Sequence, residues 1–136
     1  MSFDAAMLTA VSGLRAQTKR LRVVAENIAN ADTTASTPGG DPYRRKTITF
    51  QSELDRASGA AHVAVKDIGR DGAAFKRTFE PGHPSADAEG YVLRPNISTI
   101  VEMIDMQEAQ RSYEANLSML TGARSMLQRT IDLLRS

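Results

Sequence analysis

The chain has 136 residues, a formal net charge of +1 and no cysteine. This length suits one small domain, and the near-neutral charge lacks the strong positive field that is typical of a nucleic-acid binder. Without cysteine there are no disulfides, thiolate ligands or cysteine nucleophiles, and with only His62 and His83 available we expect no metal site. We also expect no catalytic residue and no cofactor, because the sequence contains no cluster of titratable groups and no phosphate-binding loop.

The first element is a predicted helix over residues 4–30, which should end near Asn30 because Asn tolerates the left-handed cap conformation. Large apolar residues repeat every seven positions along it, and a second row lies three or four positions earlier. We assign the main row to helix packing and assembly: Met7, Leu14, Leu21 and Ile28. The second row consists of Phe3, Ala10 and Val24, with Gln17 as its polar break.

Residues 32–96 are predicted to form an extended, β-containing middle region, because they hold all five prolines and most of the glycines. Residues 43–50 favour a strand, and a short strand is possible at residues 91–93. Residues 62–68 and 73–79 flank an Asp-Gly pair, which predicts a β-hairpin between them. The basic triplet at residues 44–46 is interpreted as a solvated strand face or a contact between subunits.

The last element is a predicted helix over residues 98–134, which carries several apolar rows that together span about 160° of its surface. A seam between two helices uses a narrower stripe. We assign these residues to helix packing and assembly: Met106, Tyr113, Leu120, Leu127 and Leu134 in the main row, and Met119, Met126, Leu117 and Ile131 beside it. Leu133 continues the row of Met119 and Met126.

The predicted fold is mainly α, with two long terminal helices that pair as an antiparallel coiled-coil-like unit around a small irregular region containing a β-hairpin. The predicted divisions are an N-terminal helix within residues 1–31, a middle region at 32–96 and a C-terminal helix within 97–136. Periodicity alone leaves two alternatives open. The extra apolar residues are either scattered on the surface of a helical hairpin, or they pack against several neighbours in an assembly.

The first twenty residues lack the basic segment, apolar run and small-residue cleavage site of a secretory signal peptide. No stretch approaches the roughly 20 apolar residues that are needed to cross a bilayer. We therefore expect a soluble chain that does not insert directly into a membrane and does not use the general secretory route. A location outside the cytoplasm would require another export system.

Motifs at both ends resemble the terminal signatures of the flagellar rod and hook axial proteins. At the N-terminus they are residues 12–17 (SGLRAQ) and 21–33 (LRVVAENIANADT); at the C-terminus they are residues 101–106 (VEMIDM), 111–116 (RSYEAN) and 125–132. Residues 79–84 and 90–96 resemble a stretch found in family members that build the proximal rod. The chain departs from the family pattern at residues 34–40, which lengthen the passage into the basic triplet and leave the conformation of that loop open.

The resemblance implies a structural subunit of the proximal rod of the bacterial flagellar basal body. Its terminal helices would form an inner domain of a hollow drive shaft that transmits torque and conducts exported subunits. The implied partners are further copies of the chain, other rod proteins and the flagellar export apparatus. The implied location is the rod where it crosses the periplasm, reached without a cleaved signal peptide. The alternative is a soluble helical-hairpin adaptor or chaperone that binds a partner helix.

Overall fold

The computed structural model of the chain describes residues 2–136. Its elements, in chain order, are α1 (Phe3–Ala29), β1 (Lys46–Leu54), β2 (Ala61–Arg70), β3 (Lys76–Phe79), β4 (Tyr91–Arg94) and α2 (Thr99–Arg135). The strands form two separate two-stranded sheets, β1 with β2 and β3 with β4. The prediction of two long helices with a small hairpin-containing region between them in sequence is confirmed. Among the described residues, no helix is both long and apolar enough to cross a bilayer.

Side chains cap the helix ends close to the predicted positions. The Ser2 hydroxyl accepts a hydrogen bond from the Ala5 amide at 3.1 Å, which satisfies one free N–H at the start of α1. At the other end, Asn30 does not adopt the left-handed conformation that was expected of it. Instead, its side-chain amide donates to the Glu26 carbonyl at 2.8 Å. Ser98 precedes α2, and its hydroxyl accepts from the Val101 amide at 3.5 Å.

The predicted hairpin between residues 62–68 and 73–79 is wrong. The strand β2 pairs with β1, and β3 pairs antiparallel with β4, from Lys76 opposite Arg94 to Phe79 opposite Tyr91. A two-residue Asp-Gly turn needs positive φ at both central residues, and neither Asp71 nor Gly72 has it. The chain turns tightly at residues 55–60 instead, where Gly59 has φ +72°.

The chain folds into two compact units, and the two long helices contribute to both. The first unit comprises Met1–Leu21, Ile48–Asp67 and Gln107–Ser136; the second comprises Arg22–Thr47 and Ile68–Met106.

In the first unit, α1 packs against α2 and also forms side-chain hydrogen bonds with the backbone of β2. A Cβ atom built on Gly13 would lie 2.5 Å from Oδ1 of Asn116, so the helices approach closely there. Arg20 lies 3.6 Å from Glu108, and because a later residue of α1 meets an earlier one of α2, the two segments run antiparallel. The Thr9 hydroxyl donates to the Ala61 carbonyl at 2.8 Å, which satisfies a backbone acceptor of β2.

In the second unit, the loop that the sequence left open is tied to the segment before β4. The Gly39 amide donates to the Ser85 carbonyl at 3.1 Å, and the Ser85 hydroxyl donates back to the Ala35 carbonyl. Nearby, the Tyr91 and Glu89 amides donate to the carboxylate of Asp87, and the Tyr91 bond in particular holds the pKa of that carboxyl below its ordinary value. The loop at residues 34–40 therefore has a defined backbone anchor.

Candidate assembly surface

Small residues form most of the buried positions of both helices. On α1 these include Ala10 and Gly13, and on α2 they are Ala109 and Ala123. The innermost side of α2 also carries two polar residues at the same seven-residue spacing, the buried Glu102 and the half-buried Asn116. Small side chains let two helix backbones approach closely. At Gly13 the absence of a side chain leaves the space that the Asn116 side chain occupies. Sequence reasoning missed this side of α2, because it searched for repeats of large apolar residues. The seven-residue spacing of Ala109 and Ala123 is the signal that could have found it.

The residues assigned to assembly fall into two groups. One group is half-buried and flanks the small residues: Met7, Leu14, Leu21, Ile28, Met106, Tyr113, Leu120 and Leu127. The other group is exposed: Leu117, Met119, Met126, Ile131 and Leu134. The role of both groups in assembly remains a prediction.

A row of large apolar side chains on α2 lies open to solvent. Met119, Met126 and Leu133 are 57%, 58% and 76% exposed, and they recur every seven residues on one side of the helix. A second exposed group at the start of α2, which sequence reasoning did not single out, contains Ile100, Val101, Met103 and Ile104. Contiguous exposed apolar surface of this kind marks interaction sites in proteins.

A buried polar cluster joins α1, β1 and α2 within the second unit. Glu102 is 1% exposed, and its carboxylate accepts a hydrogen bond from Nε of Arg45 at 2.5 Å. The Asn27 amide lies beside it, with Nδ2 3.5 Å from Glu102 Oε2. Asn27 also accepts from the Lys46 amide at 2.8 Å and donates to the Lys46 carbonyl at 2.9 Å, as a neighbouring strand would. The cluster therefore fixes the first residue of β1 between the two helices.

The basic triplet is engaged by contacts within the chain, so it is not the freely solvated strand face that was one of the two interpretations made from the sequence. Arg44 donates to the carbonyls of Asp71 and Ala73 and lies 4.1 Å above the Phe75 ring. Arg45 pairs with Glu102, and the Lys46 ammonium donates to the Glu26 carboxylate at 2.5 Å. That hydrogen bond holds the pKa of Glu26 below its ordinary value. These guanidinium and ammonium groups stabilise the second unit.

An apolar groove lies between the first half of α1 and β2 in the first unit. Its volume is about 800 Å³, and we define this α1 groove by the residues that line it on the helix and on the strand: Asp4, Met7, Leu8, Val11, Arg15, Lys19, Val63 and Val65. Leu8, one of these lining residues, is 50% exposed. Asp55 also lines it, and the Ser58 hydroxyl keeps the pKa of that carboxyl below its ordinary value. Across residues 2–136, no three potential metal-ligating side chains cluster.

Comparison with known proteins gives a consistent result at both ends of the chain. Residues 7–35 match the family described as flagella basal body rod protein, and residues 88–133 match the family described as flagellar basal body rod FlgEFG protein C-terminal.

Full-length relatives share one description, flagellar basal-body rod protein FlgC. The protein of Agrobacterium fabrum is 52% identical over 133 residues, which cover 98% of this chain and 96% of the relative. That of Escherichia coli O157:H7 is 42% identical over 122 residues, covering 90% of each. That of Borreliella burgdorferi is 35% identical over 153 residues, covering 99% of each. These relatives are structural rod proteins and not enzymes.

Proposed function

Because the chain belongs to the FlgC family of flagellar basal-body rod proteins, we propose that it builds the proximal rod by packing its terminal helices against those of neighbouring subunits. The chain is a structural subunit of the basal-body rod, not an enzyme. In the proposed assembly, the helices within residues 1–31 and 97–136 form an antiparallel coiled-coil-like inner domain. The middle region at residues 32–96 lies outside it, and the hollow shaft transmits torque and conducts exported subunits.

The observation that carries this proposal is the exposed apolar row on α2. Met119, Met126 and Leu133 remain more than half exposed although α2 already packs against α1 where Asn116 meets Gly13. Taking a fully exposed side chain of this size to full burial is favourable by about 1.5–3 kcal/mol, and more than half of the surface of each of these three is still to be buried. Neighbouring subunits that cover the row therefore supply a driving force for assembly that the isolated chain lacks.

The proposal extends to export and partners. The proposed export route is the flagellum's own apparatus, because relatives that cover nearly the whole chain are flagellar basal-body rod proteins. The partners are further copies of the chain and other rod proteins, along the part of the rod that crosses the periplasm. A soluble adaptor that binds a partner helix is not favoured, because relatives that cover nearly the whole chain are rod proteins.

The test is a charge placed in the proposed helix contacts. Leu120→Asp, Leu127→Asp and Met126→Asp are expected to leave expression intact while abolishing swimming and removing the chain from purified basal bodies, because each buries an unpaired carboxylate. Met126 is 58% exposed, so that variant should not disturb packing inside the chain. Ser125→Asp is the matched control, since Ser125 is exposed and lies outside the apolar row. Normal swimming in all three variants would refute the burial of these residues.

A further inference from the structure

We propose that the imidazole of His83 is an acid-sensitive latch, which holds the loop of residues 34–40 in place while it is neutral and releases the loop when it is protonated. The latch acts within the second unit, so it operates whatever neighbours the chain has in an assembly. Its central residue is Ser85, which lies between His83 and the loop in the network of hydrogen bonds.

Ser85 ties the loop to the segment before β4. It is 5% exposed, and all three of its polar groups form hydrogen bonds. Its hydroxyl donates to the Ala35 carbonyl, and its carbonyl accepts from the Gly39 amide at 3.1 Å. Its amide, the remaining group, donates to Nδ1 of His83 at 3.0 Å. The placement of Ser85 therefore depends on His83, and the placement of the loop depends on Ser85.

The loop is closed at its base and turned at its tip by hydrogen bonds that do not involve Ser85. At the base the Tyr43 amide donates to the Thr33 carbonyl at 3.1 Å, and near the tip the Gly40 amide donates to the Thr37 carbonyl at 3.1 Å. In the part of the chain that the structure describes, the two bonds to Ser85 are the hydrogen bonds that residues 34–40 make with the rest of the second unit. Losing them frees the loop while the unit stays folded.

Only the neutral imidazole can accept the Ser85 amide. Nδ1 carries a lone pair in the tautomer with its proton on Nε2, whereas the imidazolium ion has an N–H group at both positions. Protonation therefore turns one N–H group toward another and leaves a buried amide without an acceptor. Pro84, between the two residues, has no N–H group that could take the place of the Ser85 amide. Histidine changes charge between about pH 5 and 8, so the latch opens as the pH falls through this range.

The charged side chains of the neighbouring segments are already paired with each other. The Glu80 carboxylate lies 2.6 Å from the Arg94 guanidinium of β4, and the Glu89 carboxylate lies 3.3 Å from the Arg77 guanidinium of β3. Within residues 2–136, no carboxylate forms an ion pair with His83. The imidazolium ion therefore gains no ion pair in this arrangement that would compensate for the lost hydrogen bond.

The groups on either side of the latch keep their charge in mild acid or carry none. Asp87 follows it in the chain, and the hydrogen bond from the Tyr91 amide holds the pKa of the Asp87 carboxyl below its ordinary value. Residues 34–40 contain no titratable side chain, and Asp32 and Asp41 lie beyond the two ends of the loop. The imidazole is therefore the group at this contact that changes charge near neutral pH.

Hydrogen exchange of the Gly39 amide measures the latch in the full-length chain. We expect the amide to be protected at about pH 8, and its protection factor, corrected for the intrinsic exchange rate, to fall at least about tenfold at about pH 5.5. The amide of Val24, which is buried in α1 of the same unit, should stay equally protected at both pH values. Loss of protection at both amides together would overturn a local latch, because the whole unit would then be opening.

Two substitutions at His83 separate its protonation from other effects of acid. His83→Asn places Oδ1, which accepts at every pH, where Nδ1 stands, so the protection of Gly39 should no longer depend on pH. His83→Ala removes the acceptor, so Gly39 should exchange rapidly at both pH values while Val24 stays protected.

The matched control is His62→Asn, which removes the other histidine and should leave the pH dependence of Gly39 unchanged. A pH dependence that persists in His83→Asn would overturn the latch. So would a His83→Ala chain in which Gly39 keeps its protection at about pH 8.

Discussion

Gly13→Leu is expected to separate the paired helices of the first unit. Even a Cβ atom at this position would lie 2.5 Å from Oδ1 and 2.7 Å from Cγ of Asn116, so a full leucine side chain requires both the Asn116 side chain and the spacing of the helices to change. Overpacking by single methylene groups costs about 1–3 kcal/mol, and we expect at least about 3 kcal/mol here. Urea unfolding of the isolated chain, followed by circular dichroism, measures the change.

The matched control is Gly122→Leu, at a position on α2 with open space around it. Because leucine favours helix over glycine, this variant should be neutral or more stable by about 0.5–1 kcal/mol in the isolated chain. A Gly13→Leu chain with the unaltered unfolding midpoint would show that the helices do not pack closely at this residue. Asn116→Ala added to Gly13→Leu should recover part of the loss, since it removes the side chain that is contacted.

Arg45→Met is expected to destabilise the second unit by about 3 kcal/mol or more, because it leaves a buried carboxylate without its cation. Glu102 is 1% exposed, and Nε of Arg45 is its nearest donor at 2.5 Å. Asn27 donates to the same carboxylate only at 3.5 Å and cannot supply the missing charge. The free energy of unfolding in urea should fall accordingly.

Two further variants separate this effect from a general loss of positive charge. Lys46→Met removes an ion pair whose side chains are 27% and 38% exposed, so its cost should stay below about 1 kcal/mol. Arg45→Met combined with Glu102→Leu should recover most of the stability, because replacing both members of a buried pair removes the unpaired charge. Equal losses for Arg45→Met and Lys46→Met would contradict the buried pair.

Sequence reasoning succeeded where one local signal determined the structure. The apolar period of residues 4–30 and 98–134 predicted α1 and α2 to within about one residue, because a long helix depends on local spacing and caps. Strand pairing depends on distant partners. The Asp-Gly pair at residues 71–72 favoured a turn, but the ladder from β1 continues to Asp71, whose amide donates to the Arg45 carbonyl at 2.8 Å.

The candidate surface was predictable only in part. The large apolar rows identified Met119 and Met126, whose exposure is the basis of the proposed function. The inner side of α2 was missed because Ala109 and Ala123 carry little hydrophobic signal and the residues between them at the same spacing are polar. The cluster of Asn27 and Glu102 was also missed, because residues far apart in sequence meet there only after folding, and Glu102 had been interpreted as a charge that complements the dipole of α2.

Thiol labelling of Met126→Cys in intact rods tests most directly whether neighbouring subunits cover the exposed row of Met119, Met126 and Leu133 on α2. The unaltered chain has no cysteine, so the introduced thiol is the only reactive one in this subunit. We expect rapid labelling in the isolated chain, at least about tenfold slower labelling in purified basal bodies because burial excludes the reagent, and full labelling once the rods are dissociated. Labelling at the same rate in intact basal bodies and in the isolated chain would contradict the burial of this row.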